Sequence, residues 1–324
     1  MTFFSVIVPV KSLNEYVSEN IEAIQKQKFA NWEIIIVTDG REMSNWSDAR
    51  IKIISSGVVS PAIKRDLAAN SASGKYLVLL DDDSFMSENY LEIAFKYINE
   101  SGAKVFGGPA ITPRRNTIWQ KASGACYESK LMSSSPSRYR SLGKLRLVLD
   151  WPSVNLIVRK ETFLYVGGFG NTYWPGEDSK FCEKLNGVNV PIWYLPDLIV
   201  YHHRRTNLWD HIRQCSNYGR HRGKFARDKD KNSSSILFAI PSFFVFYFIA
   251  ISMCYMLMIH NFSIYIPLYL YLIAIFFHVL SIVLRWGIFP GTLQLLYLPL
   301  THFSYGINYM IGYMQDNLKS RLRK

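Results

Sequence analysis

The sequence predicts an α/β domain with a largely parallel sheet, followed by apolar helices that cross a membrane. Three observations lead there. Short continuous apolar runs alternate with stretches of helical spacing. The runs end in acidic and glycine residues, placing polar chemistry where a parallel sheet presents its carboxyl edge. From Ile236 to Gln315, 80 residues, the one Asp, Glu, Lys or Arg is Arg285. A soluble surface must be wetted, so this stretch excludes a simple soluble protein, while the globular character of residues 1–235 excludes a purely embedded one.

Each element follows in order. FFSVIVPV, residues 3–10, reads as a buried strand ending near Pro9. Residues 14–28 place Tyr16, Val17, Ile21 and Ile24 at helical spacing. Trp32–Val37 is a second strand, ended by Thr38, Asp39 and Gly40, and Ile51–Ile54 a short third. Pro61–Ser73 is a helix stopped by Gly74. Tyr76–Leu80 is a strand that runs into Asp81, Asp82 and Asp83. Asn89–Glu100 is amphipathic, and Val105-Phe106 begins a strand ending at Gly107-Gly108-Pro109. The polar, basic stretch Pro113–Tyr139 reads as a mobile or substrate-covering segment. Structure resumes at Ser153–Val158, and a turn follows at Gly167-Gly168-Phe169-Gly170. A helix carries Phe181, Cys182 and Leu185, and strands follow at Val190–Leu195 and Leu198–Tyr201.

Between His202 and Lys231 nine Lys/Arg face three Asp/Glu. Basic residues beside a bilayer attract anionic head groups, and no nucleic-acid recognition module is present, so nucleic acid is not an expected partner. Ile236–His260 and Phe262–Leu284 are each about one bilayer crossing of roughly 20 residues. Ile288–Tyr313 is interrupted by Pro290, Gln294, Pro299, His302 and Asn308. The basic tail Lys319, Arg321, Arg323 and Lys324 fits the cytoplasmic side if two segments span and the third is re-entrant or interface-lying; three spans are the alternative. No signal peptide is apparent, so the globular part is expected in the cytoplasm. The four cysteines form no CxxC pair, which argues against a disulfide framework or structural zinc. GxGxxG, GxxxxGK[ST] and GxSxG motifs are absent, which disfavours dinucleotide oxidoreductases, P-loop NTPases and α/β-hydrolases.

Several residues carry chemistry. Three carboxylates in a row, Asp81, Asp82 and Asp83, repel one another unless a cation is present. Hard oxygen ligands suit Mg²⁺ or Mn²⁺ bridging a diphosphate; a solvated acidic turn capping a helix is the plainer reading. Asp39 suits a nucleobase or ribose contact, or a simple Asp-Gly turn. Lys64 and Arg65 either reach a diphosphate or pair with the carboxylates. Glu177 and Asp178, approached through Tyr173 and Trp174, suit a sugar hydroxyl and its proton; first-turn acidic residues at a helix start would look the same. His202 or His203 could meet a metal, and Arg204 and Arg205 a phosphate.

The ordered set SVIVPV, VTDG, SPAIKRDLAANSASGKYLVLLDDD, WPSVNLIVRKETFLYVGGF and GED resembles the family 2 glycosyltransferases over about residues 3–225. That resemblance implies the GT-A fold, a divalent metal (Mn²⁺ or Mg²⁺), a nucleotide-sugar donor (most often a UDP-sugar) and inversion at the anomeric carbon. It places Pro9 beside the nucleotide, Asp39 on its base, and Lys64, Arg65, Asp81 and Asp82 in donor binding. Asp81 and Asp83 become the DXD acids, with His202 or His203 as a further metal contact. Asp178 becomes the general base, with Trp174, Glu177, Arg204 and Arg205 toward the acceptor. Asp66 stands where the family carries Asn. Gln214, Tyr218 and Gly219 stand roughly where processive relatives carry QxxRW; the Arg-Trp ending is absent. The implied layout is a donor half (1–112), an acceptor half with the basic juxtamembrane stretch (113–235), a membrane region (236–315) and a tail (316–324). The implied activity moves a sugar to a hydroxyl of a lipid-linked or surface-glycan acceptor, from a multi-pass membrane protein with its catalytic domain on the cytoplasmic face. A polyprenyl-phosphate sugar synthase and a non-catalytic nucleotide-sugar-binding membrane protein are the alternatives.

Overall fold

The computed structural model describes residues 2–315 except 44, 134, 171, 172, 231, 234 and 260. The expected basic tail lies outside the described residues. In chain order the elements are β1 (Phe4–Pro9), α1 (Glu15–Gln25), β2 (Trp32–Thr38), β3 (Ile51–Ser55), α2 (Pro61–Ser71), β4 (Tyr76–Leu79), β5 (Ser84–Met86), α3 (Tyr90–Ser101), β6 (Val105–Gly107), β7 (Ala110–Ile111), α4 (Ile118–Glu128), β8 (Arg146–Val148), β9 (Leu156–Arg159), α5 (Lys160–Tyr165), α6 (Glu177–Gly187), β10 (Ile192–Tyr194), β11 (Val200–His202), α7 (Leu208–Arg227), α8 (Ile240–Met256), α9 (Phe262–Trp286), α10 (Ile288–Thr292) and α11 (Gln294–Met314). They fall into two compact units. One holds the described chain up to Ile111 with Ser137–His203; the other holds Thr112–Pro136 and the described residues from Arg204 to Gln315.

The first unit is an α/β sandwich. Among the described residues its main sheet has the order β3-β2-β1-β4-β9-β6-β10-β8, and β5-β11-β7 form a second sheet. β3, β2, β1 and β4 run parallel, as do β6 and β10, while β9 opposes both its neighbours and β8 opposes β10. The two faces are set by strand alternation. Phe4, Val6 and Val8 of β1 pack with Ile34, Ile36 and Val78 against Val17, Ile21 and Ile24 of α1 and Tyr90, Leu91 and Ala94 of α3. Ile7, Ile35, Val37, Leu77 and Leu79 face the other way, toward Ala62, Ala68 and Ala69 of α2 and Phe181, Cys182 and Leu185 of α6. Both faces are covered, so the strands read as unbroken apolar runs. Asn14 caps α1 through Val17 N, and Ser60 caps α2 ahead of Pro61 at its first position.

Glu33 is a buried acid inside β2, and it serves as a staple. It accepts from Ser5 Oγ (2.6 Å), Ser73 N (2.6 Å), Ser73 Oγ (2.8 Å) and Lys52 Nζ (2.6 Å). Burial pushes its pKa up, but Lys52, Ser5 and Ser73 overcome that and hold it at about 2. A depressed pKa stabilises the fold above the unfolded-state value, and the benefit is lost as pH falls through the folded one. We predict that Glu33→Ala costs about 3 kcal/mol near neutral pH, read by denaturant unfolding, and that the gap between wild type and variant closes between about pH 4.5 and 2.

The second unit is helical. The stretch expected as a mobile or covering segment instead contains α4, which is largely buried from Gln120 to Glu128 except for Lys121. Its interior residues are small or weakly apolar (Ala122, Ser123, Gly124, Ala125 and Cys126), so no apolar stripe announces it. The available signal is its capping box: Thr117 Oγ1 accepts from Gln120 N and Gln120 Oε1 accepts from Thr117 N. His211 of α7 bridges α4 and α11, with Nδ1 2.8 Å from Ser123 Oγ and Nε2 3.0 Å from Thr301 Oγ1. Burial, with help from Arg204 and Arg205, pushes its pKa down to about 3, so it is neutral and serves one hydroxyl as donor and the other as acceptor. Arg204 Nε donates to Thr112 Oγ1 (3.2 Å) and Arg205 Nε to Gln214 Oε1 (3.2 Å).

Among the described residues one helix, α9, is long and apolar enough to cross a membrane: it has 25 residues, and its most apolar 18-residue window has a mean hydropathy of 2.3 and is 11% buried. It spans about 37 Å at 1.5 Å per residue, against a hydrocarbon core of about 30 Å. The first expected span begins instead with a 3-10 turn, Ile236–Phe238, and leaves α8 at 17 residues, about 25 Å. Tyr247 Oη of α8 donates to Ile264 O (2.9 Å) and accepts from Leu268 N (3.2 Å), bridging the break around Pro267 in α9.

The third apolar segment becomes α10 and α11. α11 lies close against α7, and glycines set that approach. A Cβ on Gly219 would stand 2.5 Å from Tyr305 O, one on Gly223 2.0 Å from Tyr309 O, and one on Gly312 1.9 Å from Arg220 O. Gly223→Leu must therefore push the helices apart. We expect it to cost about 3 kcal/mol or more and to lower the thermal midpoint of the detergent-solubilised protein, whereas Asn217→Leu on the exposed side of α7 should leave it unchanged.

Candidate active site

The parallel strands β1, β2 and β4 end together, which gathers their following residues at one sheet edge. Pro9, the last residue of β1, is buried beside Val37, and Val10 continues from it. Asp39 follows β2, and its Oδ1 lies 2.5 Å from Lys64 Nζ. Lys64, buried early in α2, also donates to Val10 O. One turn of α2 thus holds Asp39 in place through a cation that spans β1 and β2.

Arg65, next on α2 and fully buried, reaches the other way. Its Nη2 donates to Asp81 Oδ1 (2.5 Å) and its Nη1 lies 3.4 Å from Glu177 Oε1. Lys64 and Arg65 both pair with carboxylates at this edge. Asp66 does different work: its carboxylate accepts from Phe169 N (2.8 Å) and Gly170 N (2.9 Å), fixing the Gly167–Gly170 turn.

The acidic triplet splits by direction. Asp81 faces Arg65, and its backbone is pinned by Ser84 Oγ donating to Asp81 O (2.8 Å). Asp82 turns toward α1, accepting from Asn14 Nδ2 (3.1 Å). Burial, then Asp83, push Asp82 up to about 6. Asp83 faces β11, where His202 Nε2 lies 3.0 Å from its Oδ1. Ligand atoms of Asp81, Asp83 and His202 all lie within 4.8 Å of one another. Two carboxylate oxygens and an imidazole nitrogen, with repulsion among the acids left to be relieved, are a donor set that fits a divalent cation such as Mn²⁺ or Mg²⁺. His203 is not part of this cluster. It follows the end of β11, and its Nε2 lies 2.7 Å from Glu19 Oε2. Its backbone N donates to Asp83 O (2.9 Å), which ties β11 to the acidic turn.

The second acidic pair opens α6. Gly176 precedes it at φ +113°, a conformation that excludes most side chains. Trp174 is half-buried just ahead of this turn. Glu177 is buried and engaged with Arg65, so an outward acceptor contact is not its observed role. Asp178 is half-buried, and its Oδ1 is shielded with no hydrogen-bond partner among the described residues. Burial pushes Asp178 upward first; Arg65 and a hydrogen bond with Ser153 pull back, and Asp81 adds to the rise. Burial and the Asp178 charge likewise raise Glu177 against the pull of Arg65.

Asp39, Arg65, Asp81, Asp83, Glu177, Asp178 and His202 therefore belong to one unit. Arg204 and Arg205 belong to the helical unit. Asn14, Glu19 and Asp150 support the site and were not anticipated. Asp150 lies 3.3 Å from Arg138 and accepts from Ser179 Oγ at 3.5 Å. Isolated Asn, Glu and Asp residues carry no local pattern; their roles come from pairings as distant as the 184 positions that separate Glu19 from His203.

This sheet order and its acidic carboxyl edge define an α/β protein of GT-A architecture. Residues 5–154, a little under half of the chain, match the family described as Glycosyl transferase family 2, so this domain is of that family's type. The match takes in Asp39, Arg65 and Asp81 to Asp83 and ends before Glu177, Asp178 and His202. A glycosyltransferase of Rickettsia bellii is 32% identical over 104 residues, 30% of this chain and 15% of its own length. WfgD of Escherichia coli, a UDP-Glc:alpha-D-GlcNAc-diphosphoundecaprenol beta-1,3-glucosyltransferase, is 26% identical over 160 residues, 47% of this chain and 61% of its own. The chain thus spans less than two thirds of either relative. Among solved structures, the mannosyltransferase PcManGT from Pyrobaculum calidifontis, in complex with GDP-Man and Mn²⁺, aligns with TM-score 0.62 at 14% identity, covering 97% of this chain and 88% of that one. That likeness is one of fold.

Proposed function

We propose that this protein is an inverting, metal-dependent glycosyltransferase that moves a sugar from a nucleotide-sugar donor to a hydroxyl of a lipid-linked glycan at a membrane. The observation that carries the reading is the Asp81, Asp83 and His202 cluster at the carboxyl edge of a family 2 domain, with Asp178 held by neighbouring elements of the same unit. Asp81, Asp83 and His202 would hold the cation. When bound, it supplies positive charge against the negative charge that develops on a departing nucleoside diphosphate. Lys64 fixes Asp39 for the base of the nucleotide, a UDP-sugar being the first donor to test.

Asp178 takes the proton of the acceptor hydroxyl. The oxygen attacks the anomeric carbon from the face opposite the diphosphate, the carbon–diphosphate bond breaks with its electron pair leaving on the phosphate oxygen, and the configuration inverts. A carboxylate shielded from water is a stronger base than a free one, and the raised pKa of Asp178 fits that task. Arg65 keeps Asp81 and Glu177 in place while opposing full neutralisation of the acids. α9, with α8 as a second crossing, anchors the protein, and the catalytic domain faces the cytoplasm beside the lipid-linked acceptor. Holding both in one plane raises the acceptor's effective concentration.

The test is transfer of label from a panel of nucleotide sugars into a membrane lipid extract by the purified full chain. The reading expects one donor to be consumed, with label appearing on a lipid-diphosphate-linked glycan in inverted configuration. Label on a lipid phosphate would favour a polyprenyl-phosphate sugar synthase, and tight donor binding without turnover on any extract would favour a binding protein.

A further inference from the structure

β8 is the last strand of the main sheet, and among the described residues it is hydrogen-bonded only to β10. An open strand edge is a ready template for another strand. Along this edge Leu145, Leu147 and Leu149 are 46%, 57% and 69% exposed, while Arg146 and Val148 between them are half-buried. Three large apolar side chains at period two on one face are not needed for this unit's own core. Arg146 is folded back: its guanidinium lies 4.2 Å from the Tyr194 ring centre and bonds Ser137 Oγ at 2.5 Å. It therefore does not shield the leucines.

The pattern Lys144-Leu-Arg-Leu-Val-Leu-Asp150 is self-complementary about Leu147. An antiparallel copy centred there sets Leu147 against Leu147, Leu145 against Leu149 and Arg146 against Val148. Lys144 falls opposite Asp150, which faces Arg138 within its own chain. Leucines meet leucines, and no like charges stand opposite one another.

We propose that β8 is the contact of a two-fold symmetric homodimer, formed by antiparallel pairing of this edge with its copy and closed by the Leu145, Leu147 and Leu149 ladder. A two-fold axis through Leu147 makes the contact isologous, so it ends at two copies rather than growing into a fibre. The ladder is smaller than the roughly 800 Å² per partner of a standard stable interface. The dimer is accordingly concentration-dependent, and confinement in a membrane favours it.

The experiment is disulfide crosslinking of the full chain in detergent and in nanodiscs large enough for two copies, in a Cys254→Ser background because the other three native cysteines are buried. Leu147→Cys should crosslink to itself. Leu145→Cys and Leu149→Cys should each fail alone and crosslink when mixed. In sedimentation velocity, Leu147→Asp should raise the dimer-to-monomer midpoint by roughly tenfold or more, with metal-dependent donor binding unchanged. A monomer at all concentrations, or crosslinking with no preference among the three positions, overturns the proposal. So does quenching of a fluorophore on Leu147→Cys by lipid-borne quenchers without any crosslink, which would make this edge a membrane contact instead.

Discussion

Asp83→Ala is expected to lower sugar transfer by about 10²–10³-fold and to abolish its response to added Mn²⁺. Asp83 is the acid that brings β11 to the acidic turn, with His202 on its side chain and His203 N on its carbonyl. Removing the carboxylate leaves Asp81 and His202, too few hard donors to hold a cation against water. The fold should tolerate the change, because the lost charge is one of three adjacent carboxylates that repel one another. Asp83→Asn keeps the shape and should fall nearly as far. Calorimetric titration of Mn²⁺ with nucleotide separates loss of the cation from loss of structure: both variants should melt like wild type yet bind nucleotide without metal enhancement. A variant that kept wild-type metal dependence would place the cation elsewhere.

Asp178→Asn is the second large effect, and it should divide chemistry from binding. A general base contributes about 10²–10⁴-fold, so turnover should fall by that much while nucleotide-sugar affinity stays within a few-fold of wild type. The stability change has a definite sign. A carboxyl whose folded pKa is raised binds protons more tightly in the native state, so stability is lost as pH rises from the unfolded value through the folded one. At neutral pH the Asp178 carboxylate therefore costs stability, and Asn should leave the melting temperature equal or higher. The transfer rate should rise with pH on an acid limb lying above the ordinary carboxylate value of about 4, and the variant should lack that limb. A fall in melting temperature together with lost donor binding would make Asp178 a structural residue.

Much of this was legible in the chain. The strands of the parallel half are covered on both faces, so unbroken apolar runs announced them, and Asp39 and Asp81 fell where those runs stop. The GED segment was legible as two acids at a helix start, and Gly176 takes a positive φ just ahead of them. Other features were not legible for physical reasons. β5, β7 and β8 have two or three residues each, too few for any periodicity. α4 hides in small residues, and only its Thr117–Gln120 box marks it. Charge type did not reveal partners: Glu177 looked like an acceptor contact but neutralises Arg65, and His203 looked as able as His202 to meet a metal but packs on Glu19. His202 is set opposite Ser84 by the β11 register with β5, while His203 follows the strand's end, and that register is a tertiary fact.

The most direct measurement is single-turnover transfer of labelled sugar to membrane lipid extract by the full chain, run with EDTA and after Mn²⁺ is restored, for wild type and Asp178→Asn side by side. The account predicts that wild type transfers only when the cation is restored, and that Asp178→Asn binds the donor under the same conditions but does not transfer it. Transfer by wild type in EDTA, or undiminished transfer by Asp178→Asn, would contradict it.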